Sequence, residues 1–282
     1  MNNINTLIEN QYNRPGLFED IIQQLQNQGI DIKKLSRSDL AAVDEFHLRG
    51  AEVSKELVTE IDLRDKNVLD IGCGLGGPSR MLADRFNCNV SGIDMSREFI
   101  RTAQKLTELF QFSGKTEFIH GDALDLPYED SSFDVVWTQH VQMNIEDKVK
   151  FYSEIERVLN DSGELIYYDI FKRDNEDVTY PVPWANNASV SFLGTIANMD
   201  VILKDLGFIK IKVTDHTNKS IEFLHNMFEK IKTDGPPKLG INILIGSSTK
   251  EKLSNILEAL ETGRIELQSG VYRKQNATTH FA

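Results

Sequence analysis

Residues 68–80 read VLDIGCGLGGPSR. An apolar run ends on Asp70 and Ile71, crosses Gly72, Gly74, Gly76 and Gly77, and opens into a helix-like stretch. Glycine has no Cβ and tolerates positive φ, so such a turn lets the backbone approach a ligand closely. Pro78 then suits the first turn of a helix. A bare strand-to-helix turn does not need four glycines in six residues. Two motifs overlap here: Gly72, Gly74 and Gly77 satisfy G-x-G-x-x-G, while Gly72, Gly74 and Gly76 satisfy G-x-G-x-G. The glycines alone do not choose between them.

The next two apolar runs carry more. NVSGID ends on Asp94, and an acid at a strand end after a glycine turn can accept hydrogen bonds from both ribose hydroxyls of an adenosine ligand. NAD and S-adenosylmethionine both qualify. TEFIHGDALDLPYED places a second acid, Asp122, just after the third run, with Ala123 beside it. A carboxylate there can take the adenine exocyclic amine while a neighbouring backbone N–H meets a ring nitrogen, which reads adenine rather than phosphate.

Around this segment the chain alternates short apolar runs with amphipathic ones. NVLDIG, NVSGID, TEFIHGD, FDVVWTQ, GELIYYDI, FIKIKVTD and ELQSGVYRK read as strands, mostly without in/out alternation, as where both faces of a sheet are covered. PSRMLADRF, REFIRTAQKLTELF, EDKVKFYSEIERVL and ANMDVILKDLG read as helices between them. The alternation predicts an α/β fold, Rossmann-like, with a seven-stranded, mostly parallel sheet. Residues 1–65 carry helical patterning expected to form an N-terminal lid, and the domain of residues 66–282 is expected to hold a helical cap insertion at about 218–263, before the last strand.

Composition narrows the partners. The 282 residues carry 31 Lys and Arg against 43 Asp and Glu, a formal net charge of −12, whereas a nucleic-acid partner needs a basic footprint. The first residues lack a signal-peptide pattern, and no apolar stretch approaches the roughly 18 residues of a membrane span, so a cytoplasmic protein with no membrane partner is expected. Cys73 and Cys88 form no disulfide framework and no zinc set, and His47, His120, His140, His216, His225 and His280 show no ligand spacing, so no metal is expected. Tyr168 and Lys172 have the Y-x-x-x-K spacing of some dehydrogenases, but on a strand four residues span roughly 13 Å and the two heads would not share one substrate atom.

VLDIGCGLGG, GID, GDALDLPYEDSSFDVVW and ERVLNDSGELIYYD resemble, in order and spacing, the successive signatures of the class I S-adenosylmethionine-dependent methyltransferases, from about Lys66 to Val213. YNRPGLFEDIIQQL, SRSDLAAVDEFHLRG and PVPWA resemble the small-molecule N-methyltransferase branch that includes sarcosine and dimethylglycine methyltransferases. Two departures stand out: His47-Leu48-Arg49-Gly50 where that branch carries His-x-Gly-Gly, and Asn160-Asp161-Ser162-Gly163 where it carries Lys-Pro-Gly-Gly. The resemblance implies S-adenosyl-L-methionine as cofactor. Gly72, Gly74 and Gly76 would line its methionine and ribose part, Asp94 would hold the ribose, Met95 would pack on the adenine, and Asp122 with Ala123 would read the adenine edge. Asp70 would sit near the ammonium group, and Gln139 follows the fourth strand, where open parallel sheets bind ligands.

Methyl transfer needs a nucleophile held in line with an already activated methyl group, and an amine acceptor must also lose a proton. His140, beside Gln139, is the base candidate by chain position, against a structural role. His47 could cover the sulfonium, and Tyr12 could close over the site. On the acceptor side, Trp184 could form an aromatic wall for a partly methylated amine, and Gln142 adds a polar group. Arg49 either holds a carboxylate, of the acceptor or of the cofactor's methionine end, or is a solvated helix-entry charge, or pairs with Glu45 or Glu52. The expected activity is methylation of a small-molecule acceptor, an amine such as a glycine derivative. An O- or C-methyltransferase of a small metabolite, or a non-catalytic S-adenosylmethionine-binding protein, is the alternative, and a homodimer is left open.

Overall fold

The computed structural model describes residues 3–110, 115–173, 176–246 and 248–276. His280 and the other residues after Asn276 lie outside this range. Strands β1 (Asn67–Ile71), β2 (Asn89–Asp94), β3 (Thr116–His120), β4 (Phe133–Gln139), β5 (Leu159–Lys172), β6 (Phe208–Asp215) and β7 (Ile265–Lys274) form one sheet in the order β3-β2-β1-β4-β5-β7-β6. The pairs among β1 to β5 are parallel, and β7 runs antiparallel between β5 and β6. The α/β, Rossmann-like, mostly parallel sheet expected from the sequence is the sheet observed.

The local reasons are plain. From Val68 to Ile71 β1 is buried at every position, because it lies mid-sheet with helices on both faces. Helix α5 (Gly77–Phe86) follows it, and α6 (Arg97–Glu108) is capped by the Ser96 hydroxyl, which accepts the Phe99 N–H. In α6 Phe99, Ile100, Ala103 and Leu106 recur at helical spacing and are buried. Helices α7 (Lys148–Val158) and α8 (Ile196–Asp205) are capped in the same way by Asp147 and Thr195.

Strand order reverses at β1, which has β2 on one side and β4 on the other. A crevice therefore opens beyond the carboxyl ends of β1 and β4, the place where such sheets bind ligands. Residues ahead of β1 form α1 (Asn3–Tyr12), α2 (Leu17–Asn27), α3 (Arg37–Asp44) and α4 (Ala51–Leu57). Here α2 packs on α6 and α3 on α5. Residues between β6 and β7 form α9 (Thr217–Asp234), α10 (Asn242–Ile245) and α11 (Thr249–Glu261), with α9 against α11 and α10 against α2. Both sets of helices thus meet over the crevice. None of the described helices is long and apolar enough to cross a membrane.

Candidate active site

A cavity of about 400 Å³ fills that crevice. The glycine turn, Asp70, Asp94, Met95 and Ala123 line it, as do Phe223, Leu224 and Met227 of α9, Leu239, Ile241, and Leu253 and Ile256 of α11. Tyr12, Glu45, His47, Gln139, His140 and Trp184 line it too.

The turn distributes its glycines among different tasks. Gly74, at φ +53°, has open space where a Cβ would sit, so its backbone faces the cavity. A Cβ on Gly72 would lie 2.3 Å from Val141 Cγ2, so this glycine admits the loop after β4. Gly76 does not line the cavity: it is the left-handed cap residue before α5, and a Cβ there would meet the Phe118 ring at 2.6 Å. Gly76, expected from the sequence to line the cofactor, thus stands beside the cavity with its Cβ side turned to the helix packing. Gly77 brings α5 against the Asp44 carbonyl, 2.4 Å from a hypothetical Cβ. Arg80, buried in α5, donates to Asp44, to Thr107 Oγ1 at 2.8 Å and to Leu75 O at 2.6 Å, and so ties α3 to the turn.

Carboxylates line the cavity as well. Asp94 Oδ2 accepts the Gly74 N–H at 3.0 Å and Oδ1 the Ser96 N–H at 2.8 Å, which orients the group and leaves lone pairs free. Asp70 Oδ2 accepts the Ser79 hydroxyl at 2.5 Å, and burial pushes its carboxyl up to about 7. Beside His47, burial likewise pushes Glu45 up to about 7, although its Oε2 accepts the Ser54 hydroxyl at 2.8 Å. Buried acids lifted in this way are relieved by a cationic ligand. An exposed Gly74 backbone and acids awaiting a cation together fit S-adenosylmethionine, whose ammonium and sulfonium groups are both positive. Asp122 sits beside the lining residues Gly121 and Ala123, and its carboxylate accepts Asn5 Nδ2 at 2.7 Å and the Leu124 N–H at 2.9 Å.

Another part of the cavity is set by the end of β4. His140, at φ +54°, breaks the strand, and its ring stacks on Tyr168 at 5.0 Å between centroids. Asp169 fixes the following loop by accepting the Val141 and Gln142 N–H groups, both at 3.1 Å. His140 Nε2 and His47 Nδ1 are buried without a protein partner. Burial holds the His47 imidazole down at about 3 and drives His140 well below its ordinary value, so both rings are neutral. Tyr12 closes from α1, its hydroxyl donating to Asn144 Oδ1 at 2.8 Å, and burial pushes that phenol up. Trp184 is buried in the wall, with its indole N–H on Ser191 Oγ at 3.0 Å.

Two acceptor-side candidates lie outside the cavity lining. Arg49 does not line the cavity; its guanidinium makes a two-pronged pair with Glu56 at 2.6 and 3.0 Å and meets His216 Nδ1 at 3.0 Å. Its partner is neither Glu45 nor Glu52 but Glu56, one helical turn beyond Glu52 on the same face of α4. Gln142 faces away from the cavity, donating to Ile170 O at 2.6 Å. Among the described residues that line the cavity there is no Lys or Arg. Sequence reasoning expected a helical cap at about 218–263 but did not single out the cavity residues of α9 and α11, nor Glu45, Ser54 or Asn144 as site groups; of these only Glu45-Phe46-His47, with acid and imidazole two residues apart, carried a local signal.

The sheet order, the glycine turn at the switch point and the acid-rimmed cavity define a class I S-adenosylmethionine-dependent methyltransferase fold. Residues 62–258 match the family described as methyltransferase domain, and the chain belongs to that family. It is 38% identical over 122 residues to chloroplastic tocopherol O-methyltransferase of Arabidopsis thaliana, covering 43% of this chain and 34% of that one. It is 31% identical over 157 residues to sarcosine/dimethylglycine N-methyltransferase of Halorhodospira halochloris, covering 55% of this chain and 56% of the relative. The matched stretch therefore spans about half or less of these relatives' length. Geranyl diphosphate C-methyltransferase of Streptomyces coelicolor superposes with a TM-score of 0.66 at 15% identity, covering 79% of each chain.

Proposed function

We propose that this protein transfers the methyl group of S-adenosylmethionine to a small, uncharged and largely apolar acceptor. The observation that carries this reading is a cavity lined by carboxylates and glycine backbone together with an aliphatic and aromatic wall, with no Lys or Arg among its described lining residues. Bound S-adenosylmethionine would supply a methyl group already activated for displacement. Asp94, Met95 and Ala123 would hold its adenosine part, and Asp70 with the Gly74 backbone its amino-acid end. The chain then has to seat the acceptor, exclude water and receive its proton. Helices α1, α9 and α11 exclude water. His140, neutral and in the cavity lining at the end of β4, would accept the acceptor's proton as the acceptor bonds to the methyl carbon.

The glycine-derivative acceptor expected from the sequence has less support than the apolar one. A free carboxylate in this acid-rimmed cavity would need a local cation, and Arg49 is taken by Glu56. The relatives' names span N-, O- and C-methylation, so the atom methylated is not inherited from them. Release of S-adenosylhomocysteine, followed over a panel of neutral aromatic and terpenoid alcohols, amines and glycine derivatives, tests the reading. Turnover confined to glycine and sarcosine would overturn it, and cofactor binding without turnover on any member would favour a non-catalytic role.

A further inference from the structure

Of the residues from 140 to 145, all but Gln142 line the cavity: His140, Val141, Met143, Asn144 and Ile145. This stretch holds a single 3₁₀ turn, Gln142–Asn144, closed by Asn144 N–H on Val141 O and Ile145 N–H on Gln142 O, both at 3.1 Å. A wall built on so short a turn takes its position from the groups behind it. For the first half that support is Asp169, which accepts the Val141 and Gln142 N–H groups. The second half rests on one side chain. Lys148, in the first turn of α7, donates from its ammonium to Gln142 O, to Ile145 O and, at 2.7 Å, to Phe192 O. An ammonium has three protons and no lone pair, so the whole group is spent on backbone carbonyls. Burial pushes it down to about 8, which leaves it charged at neutral pH.

Phe192 belongs to a second piece of wall, the segment after β5 that carries Trp184. It returns its own N–H to Met143 O at 2.7 Å, and the neighbouring Ser191 Oγ takes the Trp184 indole N–H at 3.0 Å. Asn144 spans the same gap, its Nδ2 donating to Trp184 O at 3.1 Å and to Val190 O at 2.7 Å. Lys148 is therefore the point at which the two pieces are fastened together. The residues placed at the cofactor do not depend on it. Asp94 is oriented by Gly74 and Ser96, Asp70 by Ser79, and Val141, which lies over Gly72, is in the half held by Asp169.

We propose that Lys148, which is not in the cavity lining, is a positioning residue for the methyl acceptor: by gathering three carbonyls of two separate segments at one point, it fixes the wall against which the acceptor is seated. This rests on the reading of the cavity as the seat of an apolar acceptor and adds a residue behind the wall that governs affinity for it.

The test uses the full chain at neutral pH, with S-adenosylhomocysteine as the cofactor probe and 2-naphthol, titrated into the S-adenosylhomocysteine-saturated protein, as the acceptor probe. Lys148→Met removes the charge that gathers the carbonyls. A wall that holds its competent arrangement in about a tenth of the molecules lowers apparent affinity about tenfold. Calorimetry should therefore find 2-naphthol bound at least roughly tenfold more weakly, and S-adenosylhomocysteine within about twofold of the wild type. Lys148→Arg covers a Lys148→Met protein that fails to fold. It keeps the charge, has room in the adjoining cavity of about 250 Å³ lined by Lys148, Tyr152 and Met199, and should show the same selective loss, because a planar fork does not converge on three carbonyls. Lys148→Cys should lose 2-naphthol as well. Alkylating the introduced thiol with 2-bromoethylamine, confirmed by mass, rebuilds an ammonium at the length of lysine and should restore binding, whereas iodoacetamide should not; Cys73 and Cys88 are buried. Unchanged 2-naphthol affinity in the Met and Arg variants, equal weakening of both probes, or no restoration by the aminoethyl group overturns the positioning role and leaves the apolar cavity standing. A wild type that does not bind 2-naphthol overturns the apolar reading instead. Amide hydrogen exchange then decides the role of Lys148: in Lys148→Met it should quicken at residues 141–145 and 192 and stay as in the wild type at residues 70–76, and exchange unchanged at 141–145 overturns it.

Discussion

Asp94 accepts the backbone N–H of Gly74 at 3.0 Å, across twenty residues of chain. The bond joins the end of β2 to the centre of the glycine turn, so the acid both shapes the turn and presents its remaining lone pairs to the cavity. Asp94→Ala should weaken S-adenosylhomocysteine binding by about 1.5–3 kcal/mol, the loss of hydrogen bonds to a charged group. Titration calorimetry measures this directly, with NADH as control. An Asp94→Ala protein that binds S-adenosylhomocysteine as tightly as the wild type would remove Asp94 from the cofactor site.

The same turn separates two glycines that look alike in the sequence. Gly74→Ala places a methyl group in open cavity at φ +53°, which costs roughly 1–2 kcal/mol of backbone strain and obstructs the cofactor. Gly77→Ala drives a methyl group into the Asp44 backbone, which Arg80 holds in place. Its cost should fall on stability, about 2–3 kcal/mol as for an overpacked core. Urea denaturation beside S-adenosylhomocysteine titration separates the two, and the larger binding defect is expected for Gly74→Ala.

Arg49→Leu should leave the acceptor KM unchanged and lower stability. Arg49 is 5% exposed and Glu56 39%, so solvent screening puts the loss below that of a fully buried pair, at about 1–3 kcal/mol. The Arg49 guanidinium holds the Glu56 carboxyl at about 2, below its ordinary 4.5. A lowered carboxylate pKa contributes stability above the unfolded value that is lost as pH falls through the folded one. The wild-type advantage over Arg49→Leu should therefore be full above about pH 4.5 and shrink toward pH 2 in denaturation midpoints.

Asp70 and Glu45 behave in the opposite sense. Burial raises both to about 7, so their contribution to the ligand-free fold is present below their ordinary values of 3.8 and 4.5 and is lost as pH rises through about 7. A cationic ligand lowers both again. S-adenosylmethionine binding near neutral pH should then release protons, and the calorimetric enthalpy should vary with the ionisation enthalpy of the buffer. Asp70→Asn should reduce that dependence. Buffer-independent enthalpies in the wild type would contradict a cationic ligand at these acids.

Much of the architecture was legible in the sequence because its determinants are local. Unbroken apolar runs such as Val68–Ile71 mark strands covered on both faces, helical spacing in α6 marks an amphipathic helix, and strand–glycine–helix order marks the switch-point turn. Asp94, Ala123 and His140 were likewise readable, since a residue at the carboxyl end of a parallel strand faces the crevice whatever the rest of the chain does.

The tertiary structure decided which partner each polar side chain takes. Arg49 meets His216 from 167 residues away, Tyr12 meets Asn144 across 132, and Gln139 meets His47 across 92. Chain periodicity carries no record of such pairs, because a charge or an imidazole is satisfied by whatever the packed helices bring within 3 Å of it. For the same reason the sequence left Arg49 open between a carboxylate anchor and a glutamate pair, which α4 resolves with Glu56, and it held no sign of the Phe118 ring that packs beside Gly76. Backbone pattern is a property of neighbours along the chain, whereas the chemistry of this cavity is a property of neighbours in space.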